Sequence, residues 1–241
     1  MKLGLVGFPV AHSKSPKIFQ DFFSEHKIAG TYDLIPLPTE AEIDGFIRHD
    51  IFAYDGLNVT IPFKEIWLDK MTQLSPEAEN IGALNTIVVK NGELIGYNTD
   101  VYGFMKIMQP YIPHAKKALV LGSGGSSKAV KFVLSALQIP HAVVSRNPKN
   151  MEISYKELNN AVLSEYNLII NTTPLGMKPY INECAAIPYE FIGLEHICID
   201  LIYNPLKTEY LVRSEKQGAQ ICNGFEMLKE QAFFSFNLFT Q

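Results

Sequence analysis

The sequence has few cysteines and no long apolar run. Its three cysteines, Cys184, Cys198 and Cys222, lie far apart in or beside apolar segments. An odd and widely spaced set indicates neither a disulfide framework nor a CxxC metal site, and it is typical of buried thiols in a reducing cytoplasm. The opening residues, MKLGLVGFPVAHS, lack the features of a signal sequence, and no run approaches the roughly eighteen apolar residues of a membrane helix. We therefore expect a cytoplasmic protein.

The sequence also lacks an excess of positive charge. The formal net charge is −4, and only three of the 241 residues are arginine. This balance provides no field that would gather nucleic acid or anionic lipid. The six histidines form no HxxxH or HExxH pattern, so we expect no metal. We expect a small-molecule partner, neither nucleic acid nor membrane, and a monomer or a homodimer.

Short β-type runs alternate with helical patterns along the whole sequence, which predicts an α/β fold. In the first hundred residues, helical patterns from Ser15 and from Thr39 separate the runs KLGLVG, TYDLIP and DGLNVT. The runs ALNTIVVK and ELIGYN then flank Asn91-Gly92, a dipeptide typical of two-residue hairpin turns. The first domain should therefore contain a mixed sheet.

A second α/β unit begins near Lys117. The runs KALVLG, HAVVS, NLIINT, HICIDLI and AQICN predict its strands, and helices are predicted from Ser127, near residues 155–165 and from Thr208. This regular alternation predicts a parallel sheet. The final segment, GFEMLKEQAFFSFNLF, predicts an apolar helix that packs back on the first domain.

The stretch GSGGSSKAV, which starts at Gly122, lies between an apolar strand and a predicted helix. Gly122 permits a tight turn out of the strand, and Gly124 lets backbone amides approach a pyrophosphate at the helix N-terminus. Ser127 takes the third place of the GxGxxG pattern as a small residue. A plain strand-to-helix turn is the alternative, but the flanking elements favour dinucleotide binding.

The next strand indicates which dinucleotide is bound. An acidic residue at its end would bind the ribose 2′-hydroxyl of NAD, whereas arginine accommodates the 2′-phosphate of NADP. The segment HAVVSRNPKN contains Ser145, Arg146 and Lys149 and no carboxylate. The sequence therefore favours NADP over NAD.

Three polar segments of the first domain lie at predicted strand ends, where open α/β sheets bind their ligands. They are Ser13-Lys14-Ser15-Pro16, NVTIPFK at residues 58–64, and Asn85-Thr86 with Asn98-Thr99-Asp100. Each alone has an ordinary explanation as a helix cap, a turn or a solvated charge. Together, these hydroxyls and amides, with one ammonium and one carboxylate, suit a small polyhydroxylated substrate better than a metal or an acyl transfer. The ammonium and the carboxylate also meet the need of a dehydrogenase for a general acid/base.

Eight motifs occur in an order and spacing that resembles shikimate dehydrogenases over residues 7–231. They are GFPVAHSKSP, NVTIPFK, GALNT, GYNTDVYGF, GSGGSSKAV, NTTPLGM, DLIYNPLKT and NGFEMLKEQA. The resemblance implies a substrate-binding domain of residues 1–100 plus 224–241 and a Rossmann-like NADP-binding domain of residues 101–223. It also implies the reversible NADPH-dependent reduction of 3-dehydroshikimate to shikimate, a step of aromatic amino-acid biosynthesis.

The resemblance further implies roles for individual residues. Lys64 matches the catalytic lysine and Asp100 its partner, while Ser13 and Ser15 match the hydroxyls that receive the substrate carboxylate. The other substrate-binding residues that it implies are Asn58, Thr60, Asn85, Tyr203 and Gln231. The cofactor-binding residues are Gly122, Ser123, Gly124, Gly125, Ser126, Ser145, Arg146, Asn147, Lys149, Thr172, Thr173 and Gly224.

The sequence departs from the family pattern in three ways. Ser123 and Ser126 replace the usual alanines, and the cofactor domain is short. The segment after the second strand of that domain reads Ser145-Arg146-Asn147 in place of Asn-Arg-Thr, and Asn150 takes the place of a second arginine. Lys149 is the residue that could compensate for that arginine.

Three other functions are compatible with parts of the pattern. A broader quinate/shikimate dehydrogenase often uses NAD, and a carboxylate after the second strand would favour it. A related dehydrogenase of folate or amino acids is not expected to combine NVTIPFK with GYNTD. A sensor that binds NADP without turnover would need no proton donor, so the presence of both Lys64 and Asp100 argues against it.

Overall fold

The computed structural model describes residues 1–149 and 151–241, so the departure at Asn150 lies outside the described residues. The chain forms two compact units. The first contains Met1–Tyr102 and Lys229–Gln241, and the second contains Gly103–Leu228.

Twelve strands and eight α-helices alternate along the described residues. The strands are β1 (Lys2–Gly7), β2 (Thr31–Pro36), β3 (Gly56–Val59), β4 (Gln73–Leu74), β5 (Thr86–Lys90), β6 (Glu93–Tyr97), β7 (Ala118–Leu121), β8 (His141–Ser145), β9 (Ile153–Ser154), β10 (Leu168–Asn171), β11 (Ile197–Asp200) and β12 (Gln220–Cys222). The helices are α1 (Ser15–Glu25), α2 (Glu40–His49), α3 (Pro76–Ile81), α4 (Asp100–Met108), α5 (Gly125–Ala136), α6 (Asn160–Glu165), α7 (Glu209–Lys216) and α8 (Phe225–Phe239). Among these helices, none is both long and apolar enough to cross a membrane.

The first unit contains the mixed sheet that the sequence predicts. Its strand order is β2-β1-β3-β5-β6-β4. Strands β1, β2 and β3 are parallel, whereas β5 pairs antiparallel with both β3 and β6. The carboxyl ends of β1, β3 and β6 and the amino end of β5 therefore meet at one edge of the sheet.

Helix α8 supplies part of the core of the first unit. Phe236, which is 1% exposed, contacts the rings of Phe19, Phe22 and Phe23 on α1. Phe239, near the end of the same helix, belongs to the same buried cluster. The predicted return of the C-terminal helix to the first domain is confirmed, because the apolar face of this segment finds its partners there.

The second unit contains a parallel sheet of order β9-β8-β7-β10-β11-β12. Numbered from β7, this is the 3-2-1-4-5-6 order of a doubly wound dinucleotide-binding fold, with its switch point between β7 and β10. Strands β7, β10 and β11 are buried along their whole length, as expected of parallel strands that are covered on both faces. The predicted Rossmann-like fold is confirmed.

Two helices of the second unit differ from the sequence prediction. Helix α5 begins at Gly125 instead of Ser127, because Gly124 adopts the extended N-cap conformation. The helix predicted near residues 155–165 is divided into a 3-10 turn at Tyr155–Glu157 and α6. The Asn159 side chain accepts a hydrogen bond from the Val162 amide and starts a new helix there.

Asp200, the last residue of β11, is fully buried and anchors the loop that follows. Its carboxylate accepts hydrogen bonds from Asn171 Nδ2 (3.0 Å), Ile202 N (3.0 Å) and Thr208 Oγ1 (2.5 Å). Burial raises the pKa of Asp200 to about 6, and the three donors oppose this rise without cancelling it. The folded protein therefore keeps this proton up to a higher pH than the unfolded chain does.

We expect the free energy of unfolding to fall as the pH rises from about 4 to about 6, because the buried Asp200 carboxyl loses its proton in this range. This ionisation should cost on the order of 3 kcal/mol. In Asp200→Asn, which does not titrate, this part of the fall should be absent. Urea unfolding across the pH range measures the effect, and Asp69→Asn controls for the loss of an exposed carboxyl. Parallel curves for wild type and Asp200→Asn would contradict the expectation.

Candidate active site

Lys64 and Asp100 form a buried ion pair at the functional edge of the mixed sheet. Lys64 lies in the turn after β3, and Asp100 is the first residue of α4, directly after β6. The distance from Lys64 Nζ to Asp100 Oδ2 is 2.5 Å, and the two side chains are only 11% and 7% exposed. The ordinary explanations, a solvated charge for Lys64 and a helix cap for Asp100, therefore do not account for this buried pair. Removing either charge would leave the other buried without its counterion.

Asn85 connects this ion pair to the rest of the edge. Its Oδ1 accepts a hydrogen bond from the Thr99 amide (2.7 Å) and another from the Thr86 hydroxyl (3.1 Å). Because these donors fix the orientation of the amide, its Nδ2 donates to Asp100 Oδ1 (2.9 Å) and to Gln231 Oε1 (3.2 Å). Asn85 therefore orients both the Asp100 carboxylate and the side chain of Gln231 on α8.

Asn58, the third residue of β3, is held by a second set of polar contacts. Its Nδ2 donates to Thr86 Oγ1 (3.3 Å) and to Ser235 Oγ (3.0 Å), and its Oδ1 accepts a hydrogen bond from the Tyr32 hydroxyl (2.9 Å). Ser235 and Gln231 lie four residues apart, on one face of α8. Both ends of the Asn58 amide thus belong to the buried network.

The remaining predicted substrate residues of the first unit lie at the ends of β1 and β3. Ser13 Oγ donates to Ser15 Oγ (3.1 Å) and accepts a hydrogen bond from the Ser15 amide (3.1 Å). Ser15 is the first residue of α1 and is buried. Thr60 follows β3 directly, and its amide donates to the carbonyl of Val6 in β1.

The sequence did not identify several residues of this network. Thr86 and Thr99 lie inside the polar segments that it singled out, but they were not predicted as site residues. Ser235 had a usable signal, since it lies one helical turn after Gln231 on a helix that was expected to return to the first domain. Tyr32 had no such sequence signal, because the run TYDLIP has the pattern of an ordinary strand.

The glycine turn of the second unit has the geometry that a dinucleotide requires. Gly122 follows β7 with φ +104°, which only glycine adopts readily, and a Cβ there would lie 2.9 Å from Thr172 Oγ1. Apart from Gly124 and its two neighbours in the chain, no described residue comes within 4 Å of the place that a Cβ of Gly124 would take. The backbone therefore faces open space at the N-terminus of α5, where free amides attract a pyrophosphate. These residues fit NADP.

The end of β8 carries the residues that were predicted to select the cofactor. Ser145 is buried, whereas Arg146, Asn147 and Lys149 are exposed. The predicted absence of a carboxylate needs correction, because Ser145 Oγ donates a hydrogen bond to Glu152 Oε2 at 2.9 Å. Strand β9 runs parallel to β8 and pairs with its end, so the connecting turn brings Glu152 back to the end of β8.

The other predicted site residues of the second unit, three for the cofactor and Tyr203 for the substrate, lie after β10, β11 and β12. Thr172 Oγ1 donates to the Leu121 carbonyl (2.7 Å), and Thr173 Oγ1 donates to Asn171 Oδ1 (2.7 Å). Tyr203 lies in the loop that Asp200 anchors. A Cβ on Gly224 would lie 2.0 Å from the carbonyl oxygen of Leu201, so close backbone packing alone requires glycine there.

Comparison with known sequences identifies the family. Residues 5–87 match the model of the shikimate dehydrogenase substrate binding domain. A shikimate dehydrogenase (NADP(+)) of Methanococcus maripaludis is 35% identical over 254 residues, which cover 99% of this chain and 91% of that protein.

Solved structures agree with the sequence comparison. One of them is the shikimate 5-dehydrogenase of Thermus thermophilus in complex with NADP(H) and shikimate. It matches with a TM-score of 0.89 and 30% identity, and the match covers 100% of this chain and 93% of the Thermus chain. The quinate dehydrogenase of Corynebacterium glutamicum, in complex with NAD, has a TM-score of 0.86 and 25% identity, with coverage of 100% and 93%. With its mixed sheet, its doubly wound sheet and its buried lysine–aspartate pair, the chain belongs to the shikimate dehydrogenase family.

Proposed function

We propose that Lys64 and Asp100 are the acid/base pair of the family reaction, the reversible NADPH-dependent reduction of 3-dehydroshikimate to shikimate. The observation that carries this proposal is the buried contact between Lys64 Nζ and Asp100 Oδ2. Reduction of a ketone leaves an alkoxide oxygen that needs a proton. One N–H of the ammonium points to Asp100, and the ammonium has two further protons with which to reach that oxygen. Asp100 balances the charge of the lysine and holds it in place.

The pair of serines at the start of α1 is proposed to bind the substrate carboxylate. Ser13 and Ser15 are hydrogen-bonded to each other, so their hydroxyls lie side by side. The N-terminus of an eleven-residue helix adds a favourable field for an anion. Two hydroxyl donors at such a position replace an arginine, which agrees with the scarcity of arginine in this chain.

The amides around the ion pair are proposed to contact the ring hydroxyls. Asn85 and Gln231 are buried and share a hydrogen bond, and Asn85 also holds Asp100. Asn58 and Thr60, at the end of β3, complete this set. Because the network fixes the orientation of these amides before substrate arrives, little side-chain entropy remains to be lost on binding.

The second unit is proposed to hold NADP(H), whose reduced form would supply the hydride for ketone reduction when bound. The turn from Gly122 to Ser126 provides backbone amides for the pyrophosphate, and Thr172 and Thr173 border the turn at the switch point of the sheet. The residues proposed for the adenosine end are Ser145, Arg146, Asn147 and Lys149. By their match to the family motifs, Tyr203 is assigned to the substrate carboxylate and the neighbouring nicotinamide, and Gly224 is assigned to the nicotinamide.

The domain roles follow from these assignments. We propose that residues 1–100 and 224–241 bind the substrate and that residues 101–223 bind NADP, in a cytoplasmic monomer or homodimer. A broader quinate/shikimate activity with NAD is the second candidate. The observation that favours it is the carboxylate of Glu152 beside Ser145, at the place where NAD enzymes carry an acid.

The assay that tests the proposed function combines purified protein with NADP or NAD and with shikimate or quinate. Absorbance at about 340 nm reports the reduced nicotinamide. We expect rapid reduction with shikimate and NADP. Activity with quinate and NAD as well would move the assignment to the second candidate. Binding of NADP without turnover on any pair of substrates would overturn the enzymatic proposal.

Lys64→Ala should lower turnover by about a hundred- to ten-thousand-fold, the range expected when a general acid/base is lost. Circular dichroism should show that the fold is retained. Lys70→Ala is a matched control, because Lys70 is also a partly buried lysine that is paired with a carboxylate, that of Asp44. The control should keep the wild-type turnover. If Lys64→Ala stayed within about fivefold of wild type, Lys64 would have no part in proton transfer.

Arg146→Ala should raise the KM for NADP about tenfold while changing the KM for NAD little, because only NADP carries the 2′-phosphate. Steady-state kinetics with saturating shikimate measures both constants. Arg48→Ala, which removes an exposed arginine at the end of α2, serves as the control. Equal changes for the two cofactors would contradict a contact between Arg146 and the 2′-phosphate.

A further inference from the structure

The carboxylate of Glu152 accepts hydrogen bonds from two of the donors near the end of β8. Its Oε2 accepts a hydrogen bond from the Ser145 hydroxyl at 2.9 Å and another from the Lys149 amide at 3.1 Å. Strand β9 pairs parallel with the end of β8, and this register places Ser154 opposite Ser145. Glu152 precedes this pairing directly and is held beside Ser145 by it.

The end of β8 is the second strand end of the dinucleotide-binding unit, where the adenosine ribose is recognised. A ribose 2′-phosphate needs hydrogen-bond donors and cations there, and a ribose 2′-hydroxyl needs an acceptor. Ser145 and the Lys149 amide are such donors, yet both already point to one carboxylate oxygen. The Glu152 carboxylate therefore competes with a bound 2′-phosphate for the Ser145 hydroxyl and the Lys149 amide.

Hydrogen bonds, and to a smaller extent neighbouring charges, lower the pKa of Glu152. The hydrogen bond from the Lys149 amide, followed by that from the Ser145 hydroxyl, lowers the pKa of Glu152. The ammonium groups of Lys131, on α5, and of Lys149 act in the same direction. Glu152 therefore interacts with positive charge that could otherwise serve a phosphate at this strand end.

We propose that Glu152 is a specificity-determining residue of the cofactor site, whose carboxylate opposes the 2′-phosphate of NADP and accepts a hydrogen bond from the 2′-hydroxyl of NAD. The proposal rests on the proposed function only in placing the adenosine ribose at the end of β8. Like charges in contact disfavour the phosphate, whereas the hydroxyl gains an acceptor. Glu152 therefore reduces the ratio of the affinity for NADP to the affinity for NAD, so that this chain also accepts NAD.

Glu152 also closes a local turn, because its amide donates to the Lys149 carbonyl at 3.1 Å. Glu152→Gln separates the two roles. The glutamine keeps a side-chain oxygen for Ser145 and for the Lys149 amide but carries no charge. A matched control is Glu157→Gln, which removes another carboxylate that caps a backbone amide, that of Ser154.

The test compares two adenosine ligands that differ only in the 2′-phosphate, adenosine 2′,5′-bisphosphate and adenosine 5′-monophosphate. Calorimetry gives the dissociation constant of each for the full chain, for Glu152→Gln and for Glu157→Gln. Removing the charge of Glu152 should raise the affinity ratio in favour of the bisphosphate about tenfold or more. The ratio of kcat/KM for NADP to that for NAD should rise in parallel, and Glu157→Gln should leave both ratios unchanged.

An unchanged affinity ratio in Glu152→Gln would overturn the proposal, whether both ligands bind as before or both are weakened equally. If the wild-type protein binds neither ligand, an unchanged ratio of kcat/KM for NADP to that for NAD in Glu152→Gln would overturn the proposal in the same way. Failure of the proposed function gives a different result. No shikimate oxidation with either cofactor would refute the enzymatic assignment, while the ratio of the two ligand affinities would still report on Glu152.

Discussion

The buried ion pair of Lys64 and Asp100 is the constraint that shapes the first unit. Two charges removed from water cost more than their attraction returns unless further hydrogen bonds satisfy them. Asn85 provides such a bond to Asp100, and its own oxygen is satisfied by Thr99 and Thr86. The network extends to α8, so residues from distant parts of the sequence are fixed by one electrostatic requirement. The same network gives the site its preformed geometry.

In both sheets, the predicted ligand-binding residues lie at the edge where the ends of several strands meet. In the first unit, the antiparallel strand β5 brings its amino end to the edge where β1, β3 and β6 end. In the second unit, the strand order reverses beside β7, and the glycine turn opens there. The chemistry differs because one edge carries amides, hydroxyls and a single ion pair, whereas the other carries backbone amides. A substrate with hydroxyls suits the first edge and a pyrophosphate suits the second.

Most of the fold could be predicted from the sequence, because fully buried parallel strands such as β7 and β10 appear as unbroken apolar runs. Short elements could not, since the two residues of β4 or of β9 carry no pattern. Lys64 and Asp100 were identified through family motifs, and only the structure shows their contact across 36 positions. Glu152 was missed for a physical reason: its place beside Ser145 depends on a turn and on strand pairing, which no local pattern encodes.

Helix α8 has a consequence for the order in which the protein can assemble during synthesis. The ribosome makes β1 to β6 first, but the rings that close their core, together with Gln231 and Ser235, lie more than a hundred positions later. The second unit, by contrast, is one continuous segment of chain. It can fold as soon as it emerges, whereas the first unit must wait, with part of its apolar surface still exposed. The unit that carries the buried lysine–aspartate pair is thus the last to be completed.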